Sequence, residues 1–167
     1  MSIFRTSRTA LRSLAAAGVF AGALTMTAGA ALAGECPADK VGNNVTKPGA
    51  TEPKDVKDTV LASIDLGKEI DGFQGRALRT RMLEIQPGGV VPWHSHEDRP
   101  ALIYVLEGTV TEYASNCAVP IVHKAGDAAP EAKGTSHWWQ NHGKATSKLI
   151  SVDIFPTADK KHDEKMM

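Results

Sequence analysis

Residues 146–155, TSKLISVDIF, alternate: Ile150, Val152 and Ile154 fall in one phase, Leu149, Ser151, Asp153 and Phe155 in the other. Side chains that repeat every second position belong to a strand, whose successive residues point to opposite faces. Seven further stretches suit strands: VLASIDL (60–66), RALRTRMLEI (76–85), VVPWHSH (90–96), ALIYVLEG (101–108), TVTEYA (109–114), PIVHKAG (120–126) and SHWWQNHG (136–143). Each is bounded by turn residues, and no segment sustains a helical period. Short strands at roughly ten-residue spacing predict an all-β antiparallel sandwich or barrel of about eight to ten strands with little helix.

The ends of the chain break this pattern. Arg5, Arg8 and Arg12 precede an apolar run from Leu14 to Ala31 and a small-residue site, Ala31-Leu32-Ala33. Residues 1–33 are therefore expected to be a cleaved signal peptide, leaving a periplasmic or secreted protein with no membrane segment. From Gly34 to Asp58 the chain is dense in Pro, Gly, Asn and Lys, which predicts an irregular N-terminal arm. The barrel domain is expected over 59–157, followed by a charged tail over 158–167 that includes His162.

Removing residues 1–33 lowers Lys+Arg from 19 to 16 against 19 Asp+Glu, a formal charge of −3. That balance argues against nucleic acid as a partner. A small-molecule substrate or ligand is expected instead, and a homodimer remains open. Cys36 and Cys117 are the only cysteines, and in an oxidising compartment an even pair suggests one disulfide, tying the arm to a loop of the domain.

The candidate chemistry lies in PWHSHEDRPALIYVLEG. His94 and His96 are two apart, so on a strand they project to one face, and two imidazoles can share one ion. Gly88-Gly89 precedes this strand and allows a tight turn; Pro92 implies an edge or bulge at its start.

The wider spacing resembles the two motifs of the cupin superfamily. The first, Gly-x5-His-x-His-x(3 or 4)-Glu-x6-Gly, is matched by Gly88, His94, His96 and Gly108. The second, Gly-x5-Pro-x-Gly-x2-His-x3-Asn, is similar to GDAAPEAKGTSHWWQN at Gly126, Gly134, His137 and Asn141, with the proline displaced to Pro130. The resemblance implies a jelly-roll barrel that holds one divalent metal through His94, His96 and His137. Fe(II) is favoured, with Zn, Mn, Ni or Cu as alternatives. Counted back from Gly108, the family's glutamate ligand falls on Ala101, so a methyl group stands where a carboxylate is usual. Glu97 or Asp98 would reach the ion only through a bulge, and both are read as exposed loop charges.

Other residues are weighed against plain packing. Trp139 and Asn141 share the phase of His137 and are pocket candidates. Arg81 is a pocket candidate that could grip an anion, although it and Arg79 are read first as a solvated outer face. Tyr104 is a pocket candidate read first as packing; it and Glu131 are the groups whose distance from the metal would separate catalysis from binding. His123 and His142 match no ligand position. The function implied is an exported, three-histidine, metal-dependent enzyme of dioxygenase type acting on a small organic molecule. The alternative is a non-catalytic periplasmic cupin that carries or senses a metal or small ligand.

Overall fold

The alternating segment near the C-terminus forms a ten-residue strand, β8 (Ser147–Pro156), whose burial alternates without a break. The computed structural model describes residues 34–157, so the predicted signal peptide and the charged tail with His162 lie outside the described residues. The other strands are β1 (Lys54–Asp65), β2 (Arg76–Ser95), β3 (Ala101–Glu107), β4 (Thr109–Ala114), β5 (Ile121–Lys124), β6 (Ala128–Glu131) and β7 (Ser136–Gln140). They form one antiparallel sheet in the order β5-β4-β7-β2-β8-β3-β6, with β1 added on β2, rolled into a nearly closed barrel. The helical pieces among the described residues are a 3-10 turn, Ala38–Lys40, and one α-turn, Leu66–Glu69, started by Asp65.

Several boundaries differ from the expected ones for local reasons. The segments at 76–85 and 90–96 are one strand of 20 residues, because the Gly-Gly pair does not reverse the chain. Gly88 takes φ +76°, a conformation glycine adopts at no steric cost, and β2 changes partners there, from β8 along 76–85 to β7 along 90–95. The expected strand at 120–126 ends early at Lys124, and the chain turns through Gly126 to make the additional strand β6. Strand β1 begins at Lys54, inside the segment expected to be irregular.

The rest of that segment is tied down along its length. Cys36 is bonded to Cys117, Val41 bridges Cys117, and Thr46 Oγ1 donates to the carbonyl of Cys117. Inside the barrel, Leu83, Ile85, Val91, Ile103, Val105, Val110, Trp139 and Leu149 form the apolar core.

The polar content of the interior departs from the usual pattern. The buried phase of β8 is Ser147, Leu149, Ser151, Asp153 and Phe155, while Ile150, Val152 and Ile154 are half-buried on the outside. Arg79 and Arg81, read first as an outer face, point inward at 4% and 5% exposure. They are held there because Asp153 faces Arg79 across β2–β8: Arg79 Nε and Nη2 donate to Asp153 Oδ1 and Oδ2 at 3.1 and 2.9 Å. Arg81 pairs with Asp58 and donates to Ser151 Oγ at 3.1 Å. Burying a guanidinium is costly unless it is paired and hydrogen-bonded; Asp153 meets that requirement for Arg79, whereas Arg81 Nε and Asp58 Oδ1 have no hydrogen-bond partner among the described residues.

Candidate metal centre

Strand geometry brings His94 and His137 face to face, since they are direct partners across β2–β7, after a register shift between Val91 and His94. His96 lies just past the end of β2, where its N–H is held by the Thr135 carbonyl at 2.9 Å. Gly134, at φ +85°, turns the chain from β6 back into β7 at the same end of the barrel. All three imidazoles are buried, and their Nε2 atoms form a triangle with sides of 3.0, 3.0 and 3.2 Å.

The fourth donor was not expected. Glu131 Oε1 lies 3.1 Å from His137 Nε2, and Oε2 lies 3.2 Å from His96 Nε2, so the described residues hold a buried cluster of His94, His96, Glu131 and His137. The reason is register. Ala101 sits directly opposite Glu131 in the β3–β6 pair, and opposite residues of an antiparallel pair point to the same face. A carboxylate from the strand next to Ala101 thus lies among the three expected histidines. Its only local trace is an acid in the inward phase of a four-residue strand, too short for alternation to reveal. Glu97 and Asp98 do not reach the cluster: Glu97 pairs with Lys133 and Asp98 with Arg76, both at the surface.

The hydrogen bonds behind the cluster decide its chemistry. His94 Nδ1 is 2.8 Å from the Pro92 carbonyl, His96 Nδ1 is 2.7 Å from the Arg99 carbonyl, and His137 Nδ1 is 2.5 Å from Glu112 Oε1. Each of these partners accepts, so each Nδ1 carries a proton. The Nε2 atoms of His94 and His96 present lone pairs, while Glu131 holds a further proton on His137 Nε2; a divalent cation in that proton's place would meet three imidazole nitrogens and a carboxylate, so the donor set fits a divalent metal.

Electrostatics follow from the same contacts. Burial and the neighbouring imidazoles hold the His94 pKa well below its usual value, and burial is the main cause of a smaller lowering at His96. Burial opposes a proton on His137, but the Glu131 and Glu112 carboxylates outweigh it and raise that pKa to about 9. Burial would also raise the Glu131 pKa, yet the His137 charge leaves it lowered. At Glu112 the hydrogen bonds from His123 and His137 overcome burial and hold the carboxyl at about 2.

The remaining candidates divide. A small cavity of about 20 Å³, room for roughly one water, is lined by His94, Glu131, Trp139, Arg81, Asp58 and Ser151 together with apolar core residues. Trp139 and Arg81 are therefore wall residues. Asn141 is fully buried but not in the wall: its Nδ2 donates to the carbonyls of Ile85 and Ala145, and its Oδ1 accepts from Gly143 N–H, which fixes the turn after β7. Tyr104 stands on the outer face of β3 at 45% exposure. His123 bonds to Glu112 at 2.9 Å, outside the cluster, and His142 bonds to Tyr113 at the surface.

Nectarin-1 of Nicotiana plumbaginifolia is 24% identical over 65% of this chain and 47% of its own length. Germin-like protein subfamily 3 member 1 of Arabidopsis thaliana is 27% identical over 49% of this chain and 41% of its own length. The chain spans less than half the length of these relatives. Among solved structures, a predicted oxalate decarboxylase from Thermotoga maritima superposes with a TM-score of 0.51 at 21% identity, covering 69% of this chain and 97% of that one, and shares the fold. Residues 81–153 match the cupin domain family, and that match, the barrel and its histidine-lined interior together support placing the chain in the cupin superfamily.

Proposed function

We propose that this is an exported, metal-dependent cupin enzyme acting on a small organic molecule, with oxygenase-type chemistry at an ion held by His94, His96, Glu131 and His137. The observation that carries the reading is the carboxylate of Glu131 completing the cluster opposite Ala101. Three imidazoles and a carboxylate suit Fe(II) first, with Mn, Zn, Ni or Cu as alternatives. When bound, such an ion supplies Lewis-acid and redox chemistry at positions left open to substrate.

The protein's own groups do the rest. Glu112 and the Pro92 and Arg99 carbonyls orient the three rings, and the apolar wall of Leu83, Val91, Ile103 and Leu149 excludes bulk water. Arg81 and Ser151 place polar atoms in the same wall, beside a cavity with room for about one water. A wall of that mixed character favours an enzyme over a purely apolar carrier pocket. The disulfide supports export to an oxidising compartment.

The test is elemental analysis of the purified protein, followed by oxygen-uptake and product assays with thiols, diketones, phenolic acids and oxalate on protein loaded with Fe(II) or Mn(II). One equivalent of metal and turnover of one class are expected. Metal without turnover would leave the carrier or sensor reading; protein that takes up no divalent metal would overturn both.

A further inference from the structure

His123 stands behind the metal cluster, 1% exposed and stacked on Trp139 with ring centroids 4.6 Å apart. Its Nε2 lies 2.9 Å from Glu112 Oε2, while the other oxygen of Glu112 meets His137 Nδ1. A carboxylate accepts, so His123 Nε2 carries the proton and Nδ1 presents a lone pair. That buried Nδ1 has no hydrogen-bond partner among the described residues, and an unmatched buried acceptor is costly.

Next to that lone pair lies Gly34. A Cβ at Gly34 would stand 2.9 Å from His123 Nδ1 and 3.5 Å from Asp127 Oδ2, so the place is too tight for carbon against a ring that cannot move. It has the right spacing for a nitrogen donor. Gly34 also follows the small-residue site Ala31-Leu32-Ala33, and cleavage there leaves it with a free α-amine. Rotation about the Cα–C bond by about a third of a turn exchanges the positions of the other substituents on Cα. In the uncut chain the amide bond to Ala33 ties the nitrogen down; in the cut chain the amine can turn into the Cβ position. N–Cα and C–C bonds differ by under about 0.1 Å, so nitrogen there keeps nearly the same distances to His123 and Asp127.

We propose that cleavage after Ala33 creates a docking group: the Gly34 α-ammonium inserts between His123 Nδ1 and Asp127 and, through His123 and Glu112, positions the ring of His137. This rests on the export reading above. An ammonium has three donors, enough for the lone pair and the carboxylate together, and an α-amine is mostly charged at neutral pH. Asp127 is already fixed, since its Oδ2 accepts from Lys124 N–H at 2.9 Å. Cys36, two residues on, is bonded to Cys117, so the terminus has little freedom left to lose on docking. The hydrogen bonds behind the metal centre are then complete only in the processed protein.

Two chains test this: 34–167, starting at Gly34, and 33–167, which keeps Ala33. At neutral pH the α-amine of the first should be acylated at least about 10-fold more slowly than that of the second, because a charge-assisted hydrogen bond must break first. The His123 Nδ1 resonance should lie upfield in the first chain, as it does for a ring nitrogen that accepts a hydrogen bond, with His142 unchanged. Mn(II) should bind the first chain more tightly, by about 10-fold or less, since the amine acts on His137 through two intermediaries. Asp127→Asn in 34–167 retains an acceptor for Lys124 N–H and should speed acylation. Equal acylation rates, an unmoved His123 resonance or equal Mn(II) affinity in the two chains would each overturn the proposal and leave export standing. The intact mass of the exported protein is expected to correspond to 34–167; a protein that retains residues 1–33 would overturn the export reading and the docking role with it, and a start at any other residue would overturn the docking role alone.

Discussion

At the scale of single residues, the centre is defined by where a carboxylate sits rather than by whether one is present. Ala101 and Glu131 are opposite in register and both face inward, so the acid can be carried by either strand. Glu131→Ala should therefore lower bound metal sharply, because three imidazoles remain where four donors stood. Adding Ala101→Glu to it should restore most of that metal; elemental analysis of the two proteins decides, and no recovery in the double variant would show that the strands are not equivalent supports. Glu112 touches no ion position, yet it holds the His137 ring by its Nδ1. Glu112→Gln should weaken metal affinity about 10- to 100-fold by competition titration. The histidines were legible in the sequence because His-x-His on a strand is a local pattern and His137 lies in a second spaced motif. Glu131 was not, because its place depends on the pairing of β3 with β6, which no local spacing encodes.

At the scale of elements, the strand count was legible from alternation, whereas strand continuity and the inward phase were not. Two apolar segments flanking Gly88-Gly89 look like a hairpin, and they become one bent strand because β8 and β7 take up successive halves of it. In β8 the more apolar phase lies outside, since Asp153 and Ser151 are drawn in by Arg79 and Arg81, partners far away in sequence. The N-terminal arm presents the converse case: it has no periodic pattern and still holds one position, because Cys36 is bonded to Cys117 across 81 residues. Chain-entropy arguments give about 4.5 kcal/mol for closing a loop of that size, and measured losses on removing such bridges run about 2–5 kcal/mol. Cys36→Ala/Cys117→Ala should lose stability in that range in urea unfolding. A midpoint equal to that of the oxidised protein would mean that the arm's hydrogen bonds alone hold it in place.

At the scale of the whole molecule, the buried centre couples metal binding, protonation and folding. Without an ion, the His137 pKa is raised from 6.5 to about 9, so a proton on its ring stabilises the fold fully below about 6.5 and progressively less as pH rises through 9. Glu112 behaves in the opposite sense. Its pKa is lowered from 4.5 to about 2, so its contribution is complete above 4.5 and is lost as pH falls through 2. Burial holds the His94 and His96 pKa values below 6.5, so these two rings cost stability as pH falls through 6.5; the metal-free protein should therefore be most stable near pH 6.5, with a thermal midpoint that declines toward acid and toward pH 9. A divalent ion replaces that proton between the same Nε2 atoms and Glu131, so metal affinity should rise with pH over the interval in which the metal-free fold weakens. Thermal unfolding across pH, with chelator and with saturating metal, measures both trends. The two curves should separate increasingly above pH 6.5. Parallel curves would show that proton and metal do not compete for one position, and would move the ion away from His137.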